Sequence, residues 1–346
     1  MRPAARTIPT PRSRDLALLA CLLPALASAD VVERYEPAPP FLCQVPFWCV
    51  EEYESFVIRA LDFGTPRSRA ELFDDLRAIE SDKRLRISEL LLDADLDRER
   101  YRAELIEGMN LGFLLDGLEQ RRLEFTVLRE LRTSARTEIE LLLEDPFVGP
   151  FTALLVLPPN PAGPLPAVLA LPGHGDHAAI FLEQQYGDDM VSRGYAVLSI
   201  DLRADGGGPW EDAAAIHLLQ HGFHLGGLHA YEAMLGRKLL RAWPGIDRER
   251  IALTGHSGGS MTALMAASVD DDWAALSLDH VSTFHEVQVD PRGEAILCET
   301  EPALYRIHPQ LEKLEHLAMP VKRWEYGFPE GSDAVLGWLD SLLQPQ

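Results

Sequence analysis

The stretch IALTGHSGGSMTALMAA, residues 251–267, decides the fold of this chain. It begins with an apolar run that is typical of a buried strand, passes through a turn flanked by Gly255 and Gly259, and ends in helix-forming residues. Ser257 stands at the centre of this G-x-S-x-G turn. The two glycines let the strand and the helix approach closely, because a Cβ at either position would oppose that packing. The stretch therefore predicts a strand, a sharp turn that presents a serine hydroxyl, and a helix.

Strand-like and helical segments alternate on both sides of this turn. The segments LEFTVLREL, TEIELLL and PFTALLVLPP have the pattern of an antiparallel entry to a sheet. After them PAVLAL, YAVLSI, IALTG and AALSLD predict buried strands, and helices are predicted near residues 178–193 and over residues 211–243. Apolar strands that alternate with helices are typical of parallel sheets covered on both faces. We therefore predict an α/β fold with a mostly parallel central sheet flanked by helices.

The first 29 residues predict a secretory signal peptide. Arginines precede an apolar run from Leu16 to Leu26, and Ala27-Ser28-Ala29 offers a small-residue cleavage site before Asp30. The apolar run is too short to cross a membrane as a helix. We therefore expect export to the periplasm or the extracellular space, without membrane insertion once the signal is removed. A second interpretation makes Leu18-Leu19-Ala20-Cys21 a lipidation box, although few apolar residues precede that cysteine.

Residues 30–121 differ in character from the rest of the chain. Residues 30–52 are rich in proline and aromatic residues, which favours an extended arm, and residues 53–121 carry apolar residues at helical spacing. Three parts are therefore predicted: a signal peptide at 1–29, an N-terminal arm and helical extension at 30–121, and the α/β domain at 122–346.

Composition excludes several classes of partner. The chain of 346 residues has a formal net charge of −22, which opposes binding to nucleic acid and to anionic membranes. The hydrophobic content of 47% is enough for a large core. The sequence contains neither a C-x-x-C pair nor an H-E-x-x-H motif, so no metal site is predicted. Export would permit a local disulfide between Cys43 and Cys49.

A serine nucleophile needs a base and an oxyanion hole. The hydroxyl attacks only when a base takes its proton, and the oxyanion that forms must meet preplaced N–H donors. One donor is expected from the backbone of Gly258, directly after Ser257. The other is expected from the loop after PAVLAL, where glycines allow close approach of the backbone. The predicted oxyanion hole therefore consists of Gly258, His174 and Gly175.

Four pieces of the chain resemble the α/β-hydrolase superfamily, in particular its dienelactone hydrolase and acetylxylan esterase-like branch. They are, in order, LPGHGD, GYAVLSIDLRADG, IDRERIALTGHSGGSMTALMAASVDD and AALSLD, and the resemblance spans residues 150–290. It implies the α/β-hydrolase fold and a serine-dependent hydrolase of carboxylic esters, with Ser257 as nucleophile and no cofactor. Asp279 ends the strand AALSLD, a position from which some members supply the acid of the catalytic triad.

The C-terminal part departs from the pattern of that superfamily. Where relatives carry the base histidine, this chain has Glu325-Tyr326-Gly327-Phe328, and no histidine follows His316. The order of nucleophile, acid and base is preserved if the base follows Asp279. We predict His285, in the loop just beyond that aspartate, as the base. The alternatives are His280, His308 and His316.

Other polar residues near these motifs have plainer expected roles. His256 is the variable residue of the G-x-S-x-G turn, and we expect it to be structural. Asp201 and Arg203 follow the strand YAVLSI. They either line the mouth of the pocket, since ligands bind beyond the carboxyl ends of parallel strands, or serve as polar residues of the loop.

These features predict an exported serine hydrolase that cleaves a carboxylic ester through an acyl-Ser257 intermediate. The expected substrate is a small molecule or a carbohydrate, such as an acetylated sugar or a short-chain acyl ester, and a peptidase or amidase would use the same nucleophile. The competing prediction is a catalytically degenerate α/β-hydrolase that acts as a binding or scaffolding protein. Loss of the base from a serine triad costs about 10⁶ in turnover, so the missing histidine separates the two predictions.

Overall fold

The computed structural model describes residues 31–34, 98–203, 215, 218, 223–280, 317–324 and 332–344. Several predicted features lie outside these residues. They are the signal peptide at 1–29, the pair Cys43 and Cys49, most of the arm and extension before residue 98, and the histidines His285, His308 and His316.

The described elements follow the predicted order of strands and helices. The strands are β1 (Val31–Arg34), β2 (Leu123–Arg132), β3 (Thr137–Asp145), β4 (Gly149–Leu157), β5 (Leu165–Leu171), β6 (Ala196–Ile200), β7 (Ile246–His256), β8 (Ala275–Asp279) and β9 (Val321–Trp324). The helices are α1 (Arg98–Gly108), α2 (Gly112–Leu115), α3 (Ala178–Gln184), α4 (Gly187–Ser192), α5 (Leu225–Ala242), α6 (Gly258–Val269) and α7 (Ser332–Leu343).

The described strands form one nine-stranded sheet in the order β1-β2-β3-β4-β6-β5-β7-β8-β9. Strands β2, β3 and β4 are antiparallel neighbours, and β4 also runs antiparallel to β6. Strands β6, β5, β7, β8 and β9 are all parallel to one another. The predicted antiparallel entry and mostly parallel sheet are therefore confirmed. The carboxyl ends of five parallel strands meet at one edge, which we call the carboxyl edge.

Helices cover both faces of the sheet. Side chains of α1, α5 and α6 share one core with Leu169 and Leu253 of the central strands. Side chains of α3, α4 and α7 share a second core with Val168 and Ala252. Neighbouring residues of one strand thus face opposite cores, as the alternation along a strand requires. Every residue of β5 is buried, which explains its uninterrupted apolar sequence.

One predicted helix is divided in two. The pattern predicts a helix near residues 178–193, but the structure forms α3 and α4 with a break around Tyr186. The Tyr186 ring is buried edge-on against Phe181, and its hydroxyl lies 3.0 Å from the Thr254 hydroxyl of β7. Gly187 follows, and a Cβ there would lie 2.7 Å from the Leu182 backbone. The break in the helix therefore lets the Tyr186 side chain enter the core, where a continuous helix would not place it.

The described end of the N-terminal extension packs into the same core as the sheet. Tyr101, Leu105 and Met109 are buried there. Lys238 of α5 donates to the carbonyl oxygens of Leu118 and Glu119 at 2.7 and 2.8 Å. Residues 98–121 are thus joined to α5 by both apolar contact and hydrogen bonds. Among the described helices, none has the length and apolar character that a membrane span requires.

We expect Leu253→Ala to lower the free energy of unfolding by about 2 to 5 kcal/mol, because it opens a cavity in the middle of β7. Leu253 is fully buried, whereas Leu342 of α7 is 36% exposed and offers a matched control. Leu342→Ala should change the free energy by no more than about 0.5 kcal/mol. Urea unfolding measures both variants, and equal losses would contradict the assignment of the core.

Candidate active site

Ser257 lies at the carboxyl edge, between the end of β7 and the first residue of α6. Its backbone has φ 49° and ψ −116°, a conformation that costs a non-glycine residue about 1 to 3 kcal/mol. The surrounding backbone holds it there, since the Ser257 N–H donates to the Asp279 carbonyl at 2.9 Å and its own carbonyl accepts from the Ser260 N–H at 2.9 Å. The predicted strand, sharp turn and helix are present, and we call residues 255–259 the elbow.

The two glycines of the elbow stand where backbones nearly touch. A Cβ on Gly255 would lie 2.2 Å from the carbonyl oxygen of Gly259. A Cβ on Gly259 would lie 2.2 Å from the carbonyl oxygens of both Leu171 and Pro172, at the end of β5. Strand, helix and the loop after β5 can therefore meet only if neither position carries a side chain.

Two of the predicted oxyanion-hole residues are neighbours. Gly258 is the first residue of α6, and the N–H groups of the first helical turn have no acceptor within their own helix. The backbone nitrogen of His174 lies 3.2 Å from the point that a Cβ on Gly258 would occupy. Gly175 follows with φ 80°, in a turn closed by the Asp176 N–H on the Gly173 carbonyl at 2.9 Å. The loop after β5 is thus brought beside the start of α6.

Asp279, the predicted acid, ends β8 directly beside the elbow. It is fully buried, and its Oδ2 lies 2.9 Å from Nδ1 of His256. The two residues are register partners on the neighbouring strands β7 and β8. His256 was expected to be a structural residue. Its contact with the predicted acid could not be inferred from the sequence pattern.

The identity of the base that would activate Ser257 stays a prediction. Within the described part of the chain, Ser257 Oγ forms no side-chain hydrogen bond. His280 lies next to the site, with its ring stacked on His256 at a centroid distance of 6.3 Å. His285 lies outside the described residues.

Asp201 and Arg203, the two polar residues after β6, form bonds to neighbouring elements of the fold. Asp201 accepts hydrogen bonds from the Ala178 N–H at 2.7 Å and from the Thr152 hydroxyl. Arg203 forms an ion pair of 2.6 Å with the fully buried Glu232 of α5. These contacts favour the interpretation of both residues as structural parts of the loop.

A buried tyrosine lies below the elbow and was not singled out from the sequence. Burial raises the pKa of Tyr186, the hydrogen bond with Thr254 lowers it, and the charge of Asp279 raises it further. The hydroxyl therefore stays protonated and can hydrogen-bond beneath the site.

The described residues offer no metal site: no group of three or more His, Cys, Asp or Glu side chains among them is arranged to hold an ion.

Comparison with known proteins supports the fold. A scan against protein-family models finds no match, and a search of the curated proteins finds no significant relative. Solved structures that resemble the chain include a Bacteroides fragilis protein assigned as an acetyl xylan esterase, with a TM-score of 0.56 and 17% identity over 71% of each chain. They also include the acetyl xylan esterase of Paenibacillus sp. R4, with a TM-score of 0.53 and 15% identity over 72% of this chain and 95% of that chain.

Sheet order, helix placement and these similarities together define an α/β-hydrolase fold. The fold class predicted from the sequence is therefore confirmed. Ser257 occupies the turn in which such folds present a nucleophile.

We expect Gly259→Ala to destabilise the protein by more than about 3 kcal/mol, because its Cβ would overlap two backbone carbonyl groups that cannot move independently. Gly163→Ala is the matched control, since a Cβ there meets nothing within 4 Å. Thermal and urea unfolding measure both variants. A Gly259→Ala protein as stable as the wild type would show that the elbow and the loop after β5 are not in contact.

Proposed function

We propose that the protein is a serine hydrolase that cleaves carboxylic esters through an acyl-Ser257 intermediate. The observation that carries this proposal is the backbone of Ser257, which is strained at φ 49° and held by hydrogen bonds at the carboxyl edge. Strain of this kind persists only where the surrounding structure imposes it, and it is concentrated at functional sites. In an α/β-hydrolase fold this turn raises the serine hydroxyl toward the substrate.

The proposed reaction has two halves. A histidine base takes the proton of Ser257 Oγ, which attacks the ester carbonyl carbon, and the oxyanion is stabilised by N–H groups of Gly258 and of the loop at His174 and Gly175. Collapse of this intermediate breaks the bond to the alcohol, which leaves with the proton from the base. Water then attacks the acyl-enzyme with the help of the same base and releases the acid.

The proposed triad is Ser257, Asp279 and His285. Its support is positional: Asp279 ends the strand next to β7, and its backbone carbonyl binds the Ser257 N–H. His285 follows only six residues later in the chain, within reach of the same edge. The alternatives for the base are His280, His308 and His316.

The proposed substrate is an ester of a small molecule or a carbohydrate, such as an acetylated sugar. Two similar structures are described as acetyl xylan esterases, which favours this class. The strongly negative net charge disfavours nucleic acid as a partner. Export through the N-terminal signal peptide is part of the same proposal and suits an extracellular or periplasmic carbohydrate.

A fluorophosphonate probe should label the wild-type protein at neutral pH, because it reacts with an activated serine. Ser257→Ala should abolish the labelling, whereas Ser268→Ala should retain it, since the Ser268 hydroxyl donates to the Leu264 carbonyl within α6 and is not part of the elbow. Mass spectrometry of the labelled peptide identifies the modified residue. Folded wild-type protein that takes up no label would instead support the degenerate, binding or scaffolding alternative.

Replacing the base should reduce ester hydrolysis by a factor on the order of 10⁴ to 10⁶ with little change in KM, because proton transfer from Ser257 is lost. We expect this loss in His285→Ala and not in His280→Ala, His308→Ala or His316→Ala. Turnover of a panel of acetylated sugars and short-chain acyl esters measures it and also ranks the substrates. Full activity in His285→Ala would refute its assignment, and a collapse in one of the others would move the role to that histidine.

A further inference from the structure

We propose that His256 is a positioning residue of this site, which acts by holding the Asp279 carboxylate in place beside the elbow. The inference rests on the proposed function of Ser257 and goes beyond it, because His256 was expected only to fill the variable position of the turn. Three sets of contacts carry it.

The first set joins the two side chains. His256 and Asp279 face each other across β7 and β8, and Nδ1 lies 2.9 Å from Oδ2. The Asp279 side chain is fully buried, whereas 26% of the His256 side chain is exposed. An ionised carboxylate at such depth is stable only with a hydrogen-bond donor or a positive charge beside it. The neutral imidazole supplies a hydrogen-bond donor, and the protonated imidazole supplies a donor and a positive charge.

The second set fixes Asp279 to the elbow. Its carbonyl oxygen accepts from the Ser257 N–H at 2.9 Å and from the Ser260 hydroxyl at 2.8 Å. Its own N–H donates to the Ser260 hydroxyl oxygen at 2.9 Å. A shift of Asp279 would therefore reach the backbone of Ser257 directly.

The third set lies on the opposite edge of the imidazole. Cδ2 of His256 is 3.1 Å from the point that a Cβ on Gly173 would occupy, and Cβ of Ser257 is 3.4 Å from the same point. The ring of His280 stacks over that of His256 at an interplanar angle of 24°. The imidazole is thus confined between β8 and the loop that carries the predicted oxyanion donors.

These contacts give His256 an effect on the reaction without contact with the substrate. A displacement of about 1 Å in a catalytic group can cost about 10²-fold in rate. Without the Nδ1 donor of His256, the Asp279 carboxylate would lose one of the contacts that fix it and could rotate. That rotation would alter the position of the proposed acid beside Ser257.

The test uses the rate constant for fluorophosphonate labelling of full-length protein. His256→Asn keeps an N–H near the position of Nδ1, so it should remain within about tenfold of the wild type. His256→Gln carries the same amide one methylene further out, and His256→Phe keeps a ring without a donor. Both should lose about 10²-fold. If His256→Phe does not fold, the labelling rates of His256→Asn and His256→Gln still show whether the position of the donor matters.

A double-mutant cycle shows whether His256 acts through Asp279. The variant with both His256→Phe and Asp279→Asn should be labelled no more slowly than Asp279→Asn alone. Independent losses that multiply, or equal rates for His256→Asn and His256→Gln, would overturn the proposal. Asp340→Asn is the control, because Asp340 pairs with Arg193 and Tyr195 as part of α7 packing. It should lower the melting temperature and leave the labelling rate of folded protein unchanged.

Nitrogen NMR of the histidine side chains separates failure of this proposal from failure of the proposed function. The Nδ1–H signal of His256 should be observed in the wild type and should shift in Asp279→Asn. If this signal behaves as expected but folded wild type takes up no label, the proposed function is refuted, and a role of His256 in that reaction falls with it. If the protein is labelled but the signal does not respond to Asp279→Asn, only the positioning role is overturned.

Discussion

The rest of the site depends on how closely three backbone segments approach one another at the elbow. The end of β5, the end of β7 and the start of α6 meet where Gly259 would have no space for a Cβ, since two carbonyl oxygens lie 2.2 Å from its position. This approach sets the backbone of Ser257 and brings the His174 nitrogen next to Gly258. Packing energy from the two surrounding cores supports the strained serine, because strain of a few kcal/mol is small beside the burial of five central strands.

Local features of the fold were predictable, and features that depend on register were not. The apolar runs of β5 to β8 and the glycine-flanked Ser257 are written in consecutive residues, so their pattern indicates both strand and turn. The contact between His256 and Asp279 joins residues 23 positions apart and depends on the pairing of β7 with β8. No periodicity encodes that pairing. The break between α3 and α4 escaped prediction for a similar reason, because Tyr186 finds its partner Thr254 on a distant strand.

Two of the buried acids in the described part of the chain lie against arginines. Glu232 is fully buried against Arg203, and the mostly buried Asp270 lies 2.7 Å from Arg237. Burial raises the pKa of Asp270 above its usual value, and the charge of Arg237 offsets part of that rise. Asp279 is also buried, and the side chain 2.9 Å from it is the imidazole of His256. The site therefore differs from the other two pairs, because its buried carboxylate faces a histidine in place of a guanidinium.

The anchoring of α5 has a consequence for how the protein comes apart. One helix of 18 residues carries Lys238, which binds carbonyl groups at residues 118 and 119, and Arg237, which binds Asp270 just after α6. The segment before β2 and the residue that follows α6 are thus both bonded to α5. Arg237 also lies 3.5 Å from a carboxylate oxygen of Glu119, so loss of residues 98–121 would remove partners of both Lys238 and Arg237. Loss of that segment and loss of the Ser257 backbone geometry should belong to the same cooperative event, so a proteolytic fragment lacking residues 98–121 should not persist as a folded remnant.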